Sequence, residues 1–139
     1  MKRNNIGRVV AISSSYSHLS RSGRSSYSIS KAGLEALIRS VSVEYAQFDI
    51  DCNIIVPGFI DTPLTAQNLS PANLIKTQER IPKQRLGKPR EVARLVTFLL
   101  DPETTYITGQ KIHIDGGYSI NWANFQSALK YYLEMETTL

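Results

Sequence analysis

The pattern Tyr27-Ser28-Ile29-Ser30-Lys31, with Ser14 thirteen positions before the tyrosine, constrains this chain more than any other feature. Apolar Leu34, Leu37, Ile38, Val41 and Tyr45 follow at helical spacing, which predicts a helix over 26–48. Residues four apart on a helix share one face, with Cβ atoms about 5–6 Å apart. Tyr27 and Lys31 therefore project into the same space. A phenol ordinarily holds its proton up to about pH 10. An ammonium beside a phenol favours the phenolate and brings proton exchange toward neutrality, which general acid–base catalysis requires. The run Val9-Val10-Ala11-Ile12 reads as part of a strand over 8–14, and Ser14 at its end offers a hydroxyl that can hold a substrate oxygen. A tyrosine and a lysine four apart are usually just a helix pair. The strand-end serine upstream is what turns the pair into a candidate site.

Further along, the pattern predicts a strand over 51–56, a long connection over 57–88, a helix over 89–100, a strand over 107–115 and a tail. Strands alternating with helices argue for an α/β fold with a parallel sheet. Pro89 suits the first position of a helix, Val92, Leu95, Val96 and Leu99 form its apolar stripe, and Asp101-Pro102 ends it. Ligands of open α/β sheets bind beyond the carboxyl ends of the strands, and Pro57-Gly58 lies at such an end. Residues 63–84 carry few local signals. Connections of that length often act as lids, so this one is expected to cover a substrate.

With 139 residues, 42% of them hydrophobic and 20% charged, the chain has the material for one domain with a real core. No apolar run is long enough for a signal peptide or a membrane span. A single cysteine excludes an internal disulfide and suggests a reducing compartment, hence a cytoplasmic location. Cys52 lies within the strand-like Asp51–Val56, so a buried, inert thiol is expected. One cysteine and two dispersed histidines, His18 and His113, give no metal site. His18, four residues after Ser14, reads as an exposed loop histidine rather than a residue of a substrate mouth. Lys76, Arg80, Lys83, Arg85, Lys88, Arg90 and Arg94 cluster with only Glu79 and Glu91 among them, within a net charge of +4. They read as a solvated lid and helix face, or as attraction for an acidic partner such as a carrier protein or a coenzyme A thioester. Nucleic-acid binding lacks the interleaved aromatics it would need.

Five blocks in order carry a resemblance: Gly7-Arg8-Val9-Val10 through Ser14; Tyr27 to Gly33; Asn53 to Pro63, containing Pro57-Gly58-Phe59-Ile60-Asp61-Thr62; Arg85 to Ala93; and Ile107-Thr108-Gly109-Gln110 with Ile114-Asp115-Gly116-Gly117. They resemble the short-chain dehydrogenase/reductase family in its single-domain branch, and within it the 3-oxoacyl-carrier-protein reductases. The resemblance implies a Rossmann-type parallel sheet with flanking helices and a cofactor that is NAD or NADP. It implies Ser14, Tyr27 and Lys31 as catalytic residues, and Tyr27, Lys31, Pro57, Gly58, Ile60 and Thr62 as cofactor contacts. In that scheme Lys31 binds the nicotinamide ribose, Ile60 uses its backbone and Thr62 its hydroxyl. The substrate implied is a small-molecule carbonyl or secondary alcohol, among them a 3-oxoacyl thioester. A homo-oligomer is implied too, through a helix face presenting Ala36, Ser40, Val43 and Gln47.

None of the eight glycines forms a glycine-rich phosphate turn, and the family's cofactor-selecting residue and catalytic asparagine have no counterpart here. Residues 1–118 are thus expected to correspond to the C-terminal half of a reductase domain, holding the fifth to seventh strands. Met1 is then an internal methionine, the start of a truncated gene or that of a natural short product. The strand over 8–14 becomes an uncovered edge. Residues 119–139 depart from the family; Trp122, Phe125, Leu129, Tyr132 and Leu133 recur at helical spacing after Asn121. This stretch reads as a packed helix or as an end with no selected role. The competing function is an inactive remnant or an interaction module. A sugar-nucleotide epimerase also uses tyrosine and lysine, but the Asp115-Gly116-Gly117 block and the short C-terminal region speak against it.

Overall fold

The computed structural model describes residues 1–19 and 21–121. In chain order it contains β1 (Gly7–Ile12), α1 (Ser25–Tyr45), β2 (Ile50–Pro57), α2 (Pro63–Asn68), α3 (Pro71–Glu79), α4 (Pro89–Leu100) and β3 (Lys111–Ile114). The strands form a parallel sheet in the order β1-β2-β3, as the alternation of elements predicts. The backbone divides into two compact units. One comprises Met1–Pro57 with Pro89–Ile114; the other begins with Gly58–Lys88 and resumes at Asp115.

The first unit is built around β2. Cys52, Ile54, Ile55 and Val56 are wholly inaccessible, and Ile50, Cys52, Ile54 and Val56 alternate onto the face that packs on α1. Val9 and Ala11 of β1 join them, against Leu34, Ile38, Val41, Tyr45 and Phe48. Each fully buried aliphatic side chain contributes about 1.5–3 kcal/mol, so this one face anchors the unit. Leu37 does not take part. It is exposed, because the buried stripe of α1 runs through Leu34, Glu35, Ile38 and Ser42. Buried Cys52 matches expectation, and burial together with the Asp51 charge pushes its thiol up, away from the reactive thiolate. β1 pairs on one side only among the described residues, so it is an edge, as expected.

Arg8 lies on the opposite face of β1 from Val9. Its guanidinium bonds the Thr104, Pro102, Gly7 and Asp49 carbonyls and pairs with Asp51 at 3.3 Å. That single side chain ties the starts of β1 and β2 to the turn after α4, whose stripe ends in buried Leu99.

The last strand is shorter than the predicted 107–115. Asn53, buried in β2, donates to the Ile107 carbonyl at 2.6 Å and accepts from Gln110 N–H at 3.0 Å, while Thr108 Oγ1 accepts from Cys52 N–H. Before Lys111 the pairing mixes these side-chain bonds with two backbone ones, Gly109 N–H to the Cys52 carbonyl and Ile54 N–H to the Gln110 carbonyl. Gly109 within this turn has φ +70°, a conformation that strains a side chain, and a Cβ there would press on Ser42 Oγ at 3.0 Å.

In the second unit the connection over 57–88 is not irregular: it contains α2 and α3. Thr62 and Ser70 each accept a backbone N–H as N-caps, and Pro63 and Pro71 follow at the first helical position. Threonine-proline and serine-proline are the local start signals of these two helices. The Asp115-Gly116-Gly117 turn packs its glycines on Ile81 and Pro82, and Lys83 N–H donates to the Gly116 carbonyl. No helix among the described residues is long and apolar enough to cross a membrane. The helical periodicity from Trp122 onward lies outside the described residues.

Candidate active site

Ser14 stands two residues beyond β1, not within a strand. Extended there, it caps a 3-10 turn over Ser15–Ser17; its Oγ accepts from Tyr16 N–H at 3.3 Å, and its carbonyl accepts from Ser17 N–H at 2.9 Å. As an acceptor Ser14 Oγ keeps its own proton available to donate. Tyr16 meets Tyr27 edge-on, with ring centroids 6.4 Å apart, and its hydroxyl accepts from Arg21 at 2.8 Å. The turn that carries Ser14 is thereby laid against the first turns of α1.

Tyr27 is 41% exposed, open to a ligand. Lys31 Nζ lies 5.8 Å from the centre of the Tyr27 ring and donates to the Ile12 carbonyl at 2.9 Å. One of three ammonium protons is so used; the other two remain for a ligand's oxygens. Serine, phenol and ammonium thus gather at the carboxyl end of β1, as the sequence pattern predicts.

One helical turn beyond Lys31 lies a buried carboxylate that the sequence reading did not single out. Glu35 is 4% exposed. Ser13 Oγ donates to its Oε1 at 2.6 Å and Lys111 Nζ to its Oε2 at 2.8 Å. Burial alone would push this carboxyl up. Hydrogen bonds from Lys111, Ser13 and Ser17, with the Lys111 charge, outweigh it and hold the group below the usual carboxylate value. Lys111 also reaches Ser17 Oγ at 3.3 Å and His18 Nδ1 at 3.4 Å. His18 is exposed, as expected, and its ring packs edge-on against His113.

Of the residues expected at the nicotinamide end, Pro57 closes β2 opposite Ile114 of β3. In the second unit a Cβ on Gly58 would lie 2.8 Å from the Asp115 Cα, so only glycine allows this approach. Ile60 pairs with Gly87 in a parallel bridge: Asp61 N–H donates to the Gly87 carbonyl, and Gly87 N–H to that of Phe59. In such a bridge the N–H and carbonyl of the middle residue point away from the partner strand. Ile60 therefore turns both backbone groups outward from Gly87, the disposition a planar amide ligand requires. Thr62 Oγ1 accepts from Thr65 N–H while capping α2. All seven basic residues from Lys76 to Arg94 are exposed, and Arg80 stacks over Tyr118.

Comparison with known proteins meets this geometry. Residues 1–119 match the family model described as enoyl-(acyl carrier protein) reductase. A 3-oxoacyl-(acyl-carrier-protein) reductase of Buchnera aphidicola is 38% identical over 117 residues, covering 84% of this chain and 47% of that protein. A tropinone reductase homologue of Arabidopsis thaliana is 39% identical, with 91% and 47% covered. Among solved structures, an Agrobacterium tumefaciens protein provisionally assigned as a gluconate dehydrogenase superposes with a TM-score of 0.81 at 34% identity, covering 86% of this chain and 47% of that one. The chain spans about half the length of the curated relatives it matches. With its parallel sheet and a family match over residues 1–119, the chain belongs to the short-chain dehydrogenase/reductase family.

Proposed function

We propose that this chain carries the proton-transfer half of an NAD(P)-dependent oxidoreductase that reduces a small carbonyl compound or oxidises the matching secondary alcohol. The observation that carries the reading is Lys31 Nζ held between the Ile12 carbonyl and the Tyr27 ring, beside the turn of Ser14. In the reductive direction Tyr27 gives its hydroxyl proton to the substrate oxygen, and Ser14 Oγ–H donates to that oxygen and fixes its orientation. Lys31 stabilises the phenolate left behind and binds ribose hydroxyls with its remaining protons. A bound nicotinamide cofactor supplies the hydride. Tyr27, Lys31, Pro57, Gly58, Ile60 and Thr62 are the residues that hold its nicotinamide end, Ile60 through the backbone groups turned from Gly87. A 3-oxoacyl thioester is the substrate favoured by the Buchnera relative's name. A cytoplasmic setting suits the lone buried cysteine.

The test joins this chain with the remaining half of a relative, the portion it does not match, and follows oxidation of NADH or NADPH with a 3-oxoacyl thioester. Turnover only when both pieces are present is expected. A folded, assembled pair that turns over none of a panel of ketones and thioesters would favour the remnant or interaction-module reading. By itself the chain is expected to bind either cofactor weakly, since its sequence offers no glycine-rich phosphate turn. Micromolar affinity in isothermal titration would contradict that.

Self-association is part of the same reading. Val43 is 81% exposed and Ile29 73% on α1, among exposed Ala36, Ser40 and Gln47. An apolar helix face of this kind marks an interface. Sedimentation at micromolar concentration is expected to give a dimer or larger; a well-behaved 15.6 kDa monomer would contradict it.

A further inference from the structure

We infer that the Glu35–Lys111 ion pair is the positioning device for Ser14, gripping the chain on both sides of that residue. Its role as a device for catalysis rests on the function proposed above; the grip itself does not. Ser13, immediately before Ser14, gives its hydroxyl proton to Glu35 Oε1 at 2.6 Å. Ser17, whose N–H donates to the Ser14 carbonyl at 2.9 Å, accepts from Lys111 Nζ at 3.3 Å through its hydroxyl. The two charged groups close on each other at 2.8 Å. The residue before Ser14 is held by the anion, and the residue that closes its turn by the cation with help from the anion.

Besides this grip the segment has the Lys31 bond to the Ile12 carbonyl and the Tyr16–Tyr27 ring contact, but few backbone bonds to the sheet. Ser13 N–H donates to the Ile55 carbonyl, and beyond that bond the chain leaves the sheet. A three-residue 3-10 turn is weak by itself, with poorer hydrogen-bond geometry than an α-helix. Ser13 and Ser15 are nevertheless both 4% exposed, in a segment of small polar residues that could not bury themselves by hydrophobicity. A charge-assisted hydrogen bond to a buried carboxylate explains the burial of Ser13. Placement matters as well. Glu35 follows Lys31 by four residues on α1, so one helix carries the ammonium that faces Tyr27 and the carboxylate that sets Ser14. Lys111 opens β3, which pairs with β2. The serine turn is thus referred to the helix and, through Lys111, to the sheet.

Amide hydrogen exchange on the full chain tests this, comparing the peptide over 13–19 with the peptide over 50–57. Glu35→Gln and Lys111→Met are each expected to speed exchange over 13–19 about tenfold or more, the effect of losing one charged hydrogen bond, while 50–57 keeps its protection. The reversed pair, Glu35→Lys with Lys111→Glu, restores the grip, because a serine hydroxyl serves a cation as acceptor and an anion as donor. Unchanged exchange over 13–19, an equal rise in both peptides, or a folded reversed pair without recovery would each overturn the inference. Should Glu35→Gln not fold, Ser13→Ala decides, by faster exchange over 13–19 or by none. This measurement needs no cofactor and no turnover, so it stands apart from the fate of the proposed reaction. In the two-piece assay the same variants are expected to lower kcat about tenfold or more with the cofactor KM unchanged; a change in KM alone would overturn the positioning role.

Discussion

Ser13 and Ser14 are neighbours in the chain, and Lys31 and Glu35 are neighbours on one helix, yet they serve two regions of opposite character. Half-buried Ser14 and Lys31 belong with exposed Tyr27 to one face, where hydroxyl and ammonium protons remain available. Ser13 and Glu35 belong with Lys111 to a closed cluster in which the carboxylate is fully engaged. A one-residue step beyond a strand and a one-turn step along a helix suffice to pass from one to the other. The difference teaches how one helix and one strand end can present lightly bonded polar groups and a fully engaged carboxylate side by side, the division expected if the first react and the second holds them in place.

Substitutions can break that comparison, and the largest effect is expected on the open side. Lys31→Ala should cut turnover of the two-piece enzyme by about 10²-fold or more, since proton transfer by a positioned group contributes about 10²–10⁴-fold. Its cost in stability should stay near 1 kcal/mol, the worth of one hydrogen bond to a carbonyl. A melting loss several times larger, with turnover retained, would place Lys31 with the structural residues instead.

On the closed side the balance reverses. Glu35→Gln leaves the half-buried Lys111 ammonium without its counter-charge, and should cost about 1–3 kcal/mol in urea unfolding. A neutral result would mean the cluster is dispensable for folding.

The smaller effect is on pH. Glu35 titrates below its ordinary 4.5 in the folded chain because hydrogen bonds from Lys111, Ser13 and Ser17 overcome the upward push of burial. Its contribution to stability is therefore complete above the unfolded value and is lost as pH falls from about 4.5 through the lower folded one. Unfolding midpoints followed from pH 6 to pH 3 should fall more steeply for the wild type than for Glu35→Gln. Parallel curves would remove the carboxylate from the account.

These two regions were not equally legible in the sequence. Ser14, Tyr27 and Lys31 could be read because their relation is local: a helix fixes four-residue spacing, and a strand run marks where the serine emerges. The helix over 89–100 and buried Cys52 were legible for the same reason, as amphipathic and apolar runs. Glu35 was not, because a glutamate on a helix is taken as solvated, and its partners lie 22 and 76 positions away. Leu37 was misplaced by the converse error; the buried stripe accepted a charged residue one turn before Arg39 and left a leucine outside. The strand over 107–115 was drawn too long because Asn53 supplies side-chain bonds where a ladder was assumed. Helices α2 and α3 were missed although Thr62-Pro63 and Ser70-Pro71 announce them.

In the proposed reaction Tyr27 moves the proton and does nothing essential for the fold. The most direct measurement of this is Tyr27→Phe, which removes one oxygen from a half-exposed ring, assayed for carbonyl reduction in the two-piece enzyme alongside its thermal midpoint. The account expects turnover to fall by about 10²–10⁴-fold with the midpoint and cofactor affinity essentially unchanged. Retention of a tenth or more of the wild-type rate, taking tenfold as about 1.4 kcal/mol of barrier, would show that another group transfers the proton and would contradict it.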